Sequence, residues 1–187
     1  MKKQPEITEA TRRSIMDAFW ELYKESSMEK ITVNAVGTKA NIHRSTFYRY
    51  FVDINDVLNQ VEEELLTRLR EDVLMTFSEM VHSDMQAQME TISQLLKPHA
   101  EKIYYLTGSQ GDPTFKDKLR ELFRPFFMMH GMMSGESLEQ DYVFTVMFTM
   151  MQTNLNYWYG HQDSCTLQEV LAMSKKLIGK GAAVLGE

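Results

Sequence analysis

Residues 31–51, ITVNAVGTKANIHRSTFYRYF, constrain the chain more than any other stretch. Thr32 is a good N-cap residue, with a hydroxyl placed to accept a first-turn N–H. Val33, Val36 and Ala40 recur at helical spacing, which predicts a helix over 32–40 with one apolar face. Asn41 breaks the pattern, and Asn tolerates the left-handed backbone that a sharp helix-to-helix turn needs. Ile42 plugs the angle between the helices. A second helix over 43–50 turns Phe47, Tyr50 and Phe51 inward at i, i+3 and i+4, and shows Arg44, Ser45, Thr46, Tyr48 and Arg49 on its other face. Two short helices and a tight turn make a helix-turn-helix. The exposed residue types are those that bind phosphate oxygens and base edges.

Charge sharpens the reading. The chain carries a net charge of −6, yet no acidic residue occurs between Lys30 and Val52, where Lys30, Lys39, Arg44 and Arg49 lie. Residues 1–58 sum to +1 and the remainder to −7. A local basic window in an acidic protein points to a localised polyanion contact rather than a generally sticky surface.

Thr32-Val33, Val36-Gly37, Ala40-Asn41-Ile42 and Thr46-Phe47-Tyr48-Arg49-Tyr50-Phe51, at these distances, resemble the DNA-binding domain of the tetracycline-repressor (TetR) family, whose pattern runs roughly T-V-x-x-I-A-x-x-A-G-V-S-x-x-T-[LF]-Y-x-[HY]-F. The resemblance covers about residues 8–60; beyond it the chain is similar only in length and helicity. It implies that Thr32 caps its helix and offers its hydroxyl and nearby amides to a phosphate. It places Asn34 towards the groove, and makes Arg44, Ser45 and Thr46 the opening of the recognition helix, with Arg44 reading sequence. Tyr48 and Tyr50 then reach phosphates, and Lys39 and Arg49 add charge. The implied function is a transcription regulator, more often a repressor than an activator, bound as a homodimer to a near-palindromic operator in double-stranded DNA. Three positions depart from the pattern. His43 replaces a Ser at the start of the second helix and either caps it or touches phosphate, Asn41 replaces a Gly, and Ile54 stands where the family usually has a phosphate-binding Lys.

The rest of the chain reads as all-α, with a helix-turn-helix domain over 1–53 and a helical regulatory and dimerisation domain over 54–187. A 43% hydrophobic content supports a real core, and no run approaches the ~18 apolar residues of a membrane span. The N-terminus lacks the apolar stretch of a signal peptide. A single cysteine, Cys165, excludes an internal disulfide and fits a reducing, cytoplasmic compartment. Helix 1 is expected after Thr8, with Ile15, Phe19, Leu22 and Tyr23 inward, ending at Ser26-Ser27. Asp53 caps a fourth helix that runs into the 70s on Val57, Leu58, Val61, Leu65 and Leu69. Lys97-Pro98 ends or kinks a helix near His99. Asp112-Pro113, an N-cap followed by an N1 proline, starts another, which Pro125 should bend.

Residues 137–159 are apolar almost all round, so this helix must be buried on more than one side, and the final helix, about 166–185, carries a clean apolar stripe. Two such helices packed against the same pair from a second copy give a four-helix-bundle dimer, the arrangement the resemblance implies. Candidate interface residues are Phe148, Leu155, Trp158, Val170, Leu177 and Val184. Most of the fifteen methionines fall between 75 and 165, among aromatics. Met suits adaptable surfaces, so Phe77, Tyr104, Phe123, Phe127, Met147 and Met151 are candidates for a pocket holding a small apolar effector. Ordinary core packing, or response to a protein partner, accounts for the same residues.

Enzyme signals are poor and no cofactor is implied. His161 and Cys165 stand four apart without other marks of a nucleophile site, and His82, Asp84, His99 and His130 lack metal-ligand spacing. The alternative to a regulator is a helical-bundle, partner-binding protein that keeps the fold without operator binding.

Overall fold

Two units divide the chain, Met1–Leu65 and Leu66–Glu187. The computed structural model describes residues 5–80, 85–109, 111–129 and 137–184; at 5–7, 77–80, 85–89, 126–129, 137 and 178–184 the backbone alone is described. Among the described residues every regular element is a helix.

The first unit opens with α1 (Pro5–Glu25). It begins earlier than Thr8 because Pro5 sits where a missing N–H costs nothing and a fixed φ suits the first turn. Ile15, Met16, Phe19, Trp20 and Tyr23 bury one side of it. A single 3-10 turn over Met28–Lys30 follows. Then come α2 (Val33–Lys39) and α3 (Arg44–Phe47), whose inward residues Val36, Phe47 and Phe51 are buried.

Helix α4 (Ile54–Met80) starts on two carboxylates. Asp53 Oδ1 accepts the Asp56 N–H at 2.8 Å, and Asp56 Oδ2 accepts the Val52 N–H at 2.9 Å. Asp53 therefore fills the N-cap role that the sequence predicts. The division of the chain falls inside α4, at 65/66 rather than 53/54. The first half of α4 belongs with the first unit because Val57, Leu58, Val61 and Leu65 are buried. Arg12 also ties α1 to it, donating from Nε and Nη2 to Gln60 Oε1 at 3.0 and 2.8 Å.

The second unit contains the rest of α4, α5 (Met85–Leu96), α6 (Ala100–Thr107), α7 (Pro113–Met129), α8 (Ser137–Gly160) and α9 (Leu167–Val184). Lys97-Pro98-His99 forms a 3-10 turn between α5 and α6, the interruption expected from the proline. Asp112 caps α7, accepting the Thr114 N–H on Oδ1 at 2.8 Å and the Thr114 hydroxyl on Oδ2 at 2.6 Å. Those bonds favour the carboxylate and hold the Asp112 pKa below its ordinary value. Pro125 lies within α7, which continues to Met129.

A reciprocal capping box opens α9. Glu169 Oε2 accepts the Thr166 N–H at 2.8 Å, and Thr166 Oγ1 accepts the Glu169 N–H at 3.3 Å. The core of this unit is Leu69, Ile92, Leu96, Ile103, Leu106, Phe115, Phe123, Phe144, Phe148, Leu155 and Val170. Polar pairs lie within it too: the Ser174 hydroxyl donates to Asn154 Oδ1 at 2.6 Å, joining α9 to α8, and Asn156 Nδ2 donates to the buried Thr107 Oγ1 at 3.1 Å, joining α8 to α6. Among the described residues no helix is long and apolar enough to cross a membrane.

Candidate nucleic-acid interface

The turn between α2 and α3 has the geometry its residues demand. Asn41 adopts φ 53°, the left-handed conformation. The chain then doubles back so closely that the Ile42 N–H reaches the Gly37 carbonyl at 2.9 Å. A Cβ at Gly37 would lie 3.2 Å from the Ile42 carbonyl oxygen, tighter than ordinary contact, so the smallest side chain suits this approach. Gly37 was visible in the sequence, but its role depends on a contact five residues away.

At the start of α2, Thr32 Oγ1 accepts the Ala35 N–H at 3.2 Å. The hydroxyl proton remains available for an outside acceptor. The amides of Val33 and Asn34, at the opening of the helix, have no intrahelical acceptor. Asn34 and Lys39 are exposed.

Helix α3 is a single regular turn, shorter than the expected 43–50. Beyond Phe47 the ladder tightens: the Arg49 N–H bonds the Thr46 carbonyl at 3.1 Å and the Tyr50 N–H bonds the Phe47 carbonyl at 2.9 Å. Both are i to i−3 bonds, the 3-10 geometry common at helix ends.

His43 caps α3. Its Nδ1 accepts the Ser45 N–H at 3.3 Å and lies 2.9 Å from Ser45 Oγ. An Nδ1 that accepts an amide carries no proton, so in the neutral ring the proton sits on Nε2, a donor on an exposed residue.

Arg44 and Tyr48 form a pair on the exposed face. Arg44 Nη2 donates to Tyr48 Oη at 2.9 Å, with the guanidinium carbon 5.3 Å from the ring centroid. Tyr48 in turn stands edge-on to buried Phe47, with centroids 5.6 Å apart. The buried ring thus steadies the exposed one, and the exposed ring steadies the arginine. Tyr48 keeps its own proton for another acceptor, and Arg44 keeps donors beyond the one it shares. Ser45 and Arg49 are exposed, while Thr46 and Tyr50 are half-buried. Thr32, Asn34, Lys39, His43, Arg44, Ser45, Tyr48 and Arg49 are thus all exposed, in a 31–52 segment that carries no carboxylate. Ile54, at the start of α4, is half-buried.

The candidate pocket residues of the second unit differ in burial. Phe123 and Met151 are buried in the core, where Phe123 meets Phe148 at 6.4 Å between centroids. Tyr104 is half-buried and packs on Tyr159 at 5.0 Å, and Met147 is half-buried. The side chains of Phe77 and Phe127 lie outside the described residues. A groove of about 490 Å³ between α4 and α5 has a different lining, including Asp72, Met75, Thr76, Glu90, Leu95 and Pro98. At its edge His99 Nε2 pairs with Asp72 Oδ2 at 2.9 Å.

Of the candidate interface residues, Phe148, Leu155, Trp158 and Val170 are buried within the protomer itself, whereas Leu177 is 70% exposed. Val184 lies outside the described side chains. The apolar residues α8 turns outward are Leu138, Tyr142, Val146 and Tyr157, and α9 adds Met173 beside Leu177.

His161 and Cys165 lie in the turn after α8. His161 Nδ1 is 2.8 Å from the Tyr157 carbonyl, and Cys165 Sγ donates to the His161 carbonyl at 3.6 Å. Among the described residues no group of three His, Cys, Asp or Glu could hold a metal ion. His82, Asp84 and His130 lie outside them.

No family model and no curated protein matches the chain. Solved structures do. The fatty acid degradation regulator FadR from Bacillus halodurans aligns with a TM-score of 0.68 at 17% identity, covering 95% of this chain and 96% of its own. A TetR transcriptional regulator from Streptococcus agalactiae aligns at 0.62 and 21% identity, covering 90% and 93%. SmeT, solved as a complex with triclosan, aligns at 0.64 and 12% identity, covering 91% of both chains. Nearly the whole length is matched in each case, including the second unit, where the sequence resemblance was weakest. The chain has the all-α fold of the TetR-type transcriptional regulators.

Proposed function

We propose that the protein is a dimeric transcriptional regulator, a repressor, that binds a near-palindromic DNA operator through α2 and α3 and releases it in response to an effector. The observation that carries this reading is the acid-free segment 31–52, in which Arg44 and Tyr48 stand exposed while Phe47 and Phe51, one turn away, are buried. Phosphates would be met by Thr32, Lys39, His43, Tyr48, Arg49 and Tyr50, and bases by Asn34, Arg44, Ser45 and Thr46. The effector response needs a ligand with unequal affinity for two states of the protein. Ligand-bound SmeT, with the same fold, supports a small molecule in that role.

The homodimer rests on the outward apolar residues of α8 and α9. Leu138, Tyr142, Val146 and Tyr157 follow one another at helical spacing on α8, and Met173 and Leu177 lie one turn apart on α9. A second copy of the same two helices is the partner that would cover them.

Fluorescence anisotropy with DNA from upstream of the protein's own gene tests the proposal. Binding should weaken steeply with salt, as counterion release requires. A folded dimer that fails to bind at low salt would favour a second reading, a partner-binding protein that retains the fold. Ile54 in place of the usual lysine is the observation on that side.

A further inference from the structure

His43 and Ser45 are hydrogen-bonded in a way that fixes what Ser45 can offer to DNA. His43 Nδ1 accepts the Ser45 N–H at 3.3 Å and lies 2.9 Å from Ser45 Oγ. A ring nitrogen that accepts an amide carries no proton, so Nδ1 cannot donate to Oγ. The hydroxyl is therefore the donor in the shorter contact. Its single proton is committed to the imidazole, and only its lone pairs are left for an outside partner. A serine hydroxyl ordinarily rotates to suit a donor or an acceptor. Here the neighbouring ring takes that freedom away. Both residues are exposed, and His43 is one of the positions where this chain departs from the TetR pattern.

DNA has few groups that such an oxygen can meet. Phosphate oxygens only accept hydrogen bonds, so an Oγ with no proton to give finds no partner there. The Ser45 amide is also taken, by His43, and is not free for a phosphate either. On the base edges of the major groove, guanine N7 and O6 and thymine O4 are acceptors too. The donors are the amino groups of cytosine and adenine. Arg44, the preceding residue, is a donor only. The two residues thus carry opposite polarity, Arg44 suited to a guanine edge and Ser45 to an amino group. The His43 Nε2–H is unaffected and remains for a phosphate.

We propose that Ser45 is a specificity-determining hydrogen-bond acceptor, held in that polarity by His43, which selects a cytosine or adenine amino group over a keto group at one base of each half-site. His43 acts on this choice as a positioning residue. The inference deepens the regulator reading above and rests on it.

Duplexes from upstream of the gene test it in anisotropy titrations of the full-length protein. At each position in turn, cytosine is replaced by deoxyuridine paired with adenine, or adenine by deoxyinosine paired with cytosine. Either change turns the amino group into a carbonyl without adding a methyl group. One position per half-site should cost the wild-type protein about five- to twentyfold in affinity. In Ser45→Ala that loss should fall below about twofold, which separates the hydroxyl from any effect of the altered opposite strand. His43→Ser keeps a good N-cap but brings a hydroxyl that both donates and accepts, so the preference should shrink. His43→Asp caps equally well and only accepts. It should keep the preference while its charge weakens every duplex alike. A preference that Ser45→Ala retains, or that His43→Ser leaves whole, would overturn the inference, as would indifference to the exchange at every position. Nitrogen-15 NMR of the free protein above neutral pH tests the polarity without DNA: the His43 proton is expected on Nε2, and a proton on Nδ1 would overturn the inference whatever the protein binds. A protein with the expected tautomer that binds none of the duplexes at low salt refutes the regulator reading, and the base contact with it.

Discussion

Substitution of Arg44 offers the most informative perturbation of the DNA-binding face. In the free protein its guanidinium is already committed to one geometry, 2.9 Å from Tyr48 Oη and 5.3 Å from that ring. An arginine fork on a guanine discriminates by ~1–3 kcal/mol. Arg44→Ala should therefore cost roughly 5- to 150-fold in affinity per half-site, confined to operators carrying the preferred base at one position. Both subunits contribute in a dimer, so the penalty on a full palindrome approaches twice that free energy. Arg44→Lys keeps the charge and loses the fork, so discrimination at that position should fall while non-sequence-specific affinity persists. Tyr48→Phe keeps the ring but removes the oxygen that orients the arginine; a loss of about 0.5–1 kcal/mol, two- to fivefold, is expected. Anisotropy titrations against operators substituted one base pair at a time, at two salt concentrations, read these effects. If Arg44→Ala weakens every operator equally and lowers the salt slope by about one, Arg44 is a phosphate contact and the readout role is refuted.

Three further outcomes follow from the described geometry. Asn41 stands at φ 53°, so Asn41→Gly should leave stability unchanged or raise it slightly, whereas Asn41→Val should cost about 1–2 kcal/mol in chemical denaturation. Tyr142→Lys combined with Leu177→Glu charges the exposed apolar positions of α8 and α9 and should yield a folded monomer by analytical ultracentrifugation; a persisting dimer would place the interface elsewhere. Asp112 titrates below its ordinary value near 3.8 when folded, because Thr114 bonds its carboxylate form. Its cap contribution is thus present above that value and is lost as pH falls through the folded-state pKa, so Asp112→Ala, costing about 1 kcal/mol at neutral pH, should flatten the acid limb of the stability curve.

Features fixed by neighbours in sequence were legible without coordinates. Thr32, Asp53 and Asp112 act as caps where the sequence places them, and Asn41 takes the left-handed turn, because each depends on backbone groups within a few residues. The exposed face of α3 was legible for the same reason. Its brevity was not, since an apolar pattern of i, i+3, i+4 is satisfied equally by an α-turn and by the tighter bonds that follow Phe47. The Arg44–Tyr48 pair sits at the i, i+4 spacing that brings helical side chains together, a signal present in the sequence but outweighed there by each residue's separate role towards DNA.

Helix α8 shows where pattern reasoning stops. Its residues are apolar on nearly every side, so periodicity cannot say which of them face the protomer's own core. Phe148, Leu155 and Trp158 face that core, while Tyr142, Val146 and Tyr157 face outward, a distinction set by where α5, α6, α7 and α9 pack. The α4–α5 groove was invisible for a related reason: Asp72 and Glu90 come from different helices, and nothing in their spacing announces that they share a wall.

The hydrogen bond between Ser174 and Asn154 has a consequence for how α8 and α9 find their alignment. An apolar stripe on a helix looks much the same after a shift of one turn, about 5.4 Å, so greasy contacts alone tolerate sliding. A hydroxyl and an amide oxygen 2.6 Å apart in a dry environment do not. Slipped by a turn, both groups would be stranded among hydrocarbon, at a cost of about 1–3 kcal/mol each. The pair works as a notch and key, admitting one axial position of α9 along α8 and rejecting its near neighbours. It therefore also fixes which outward residues of the two helices stand side by side for a second copy to meet.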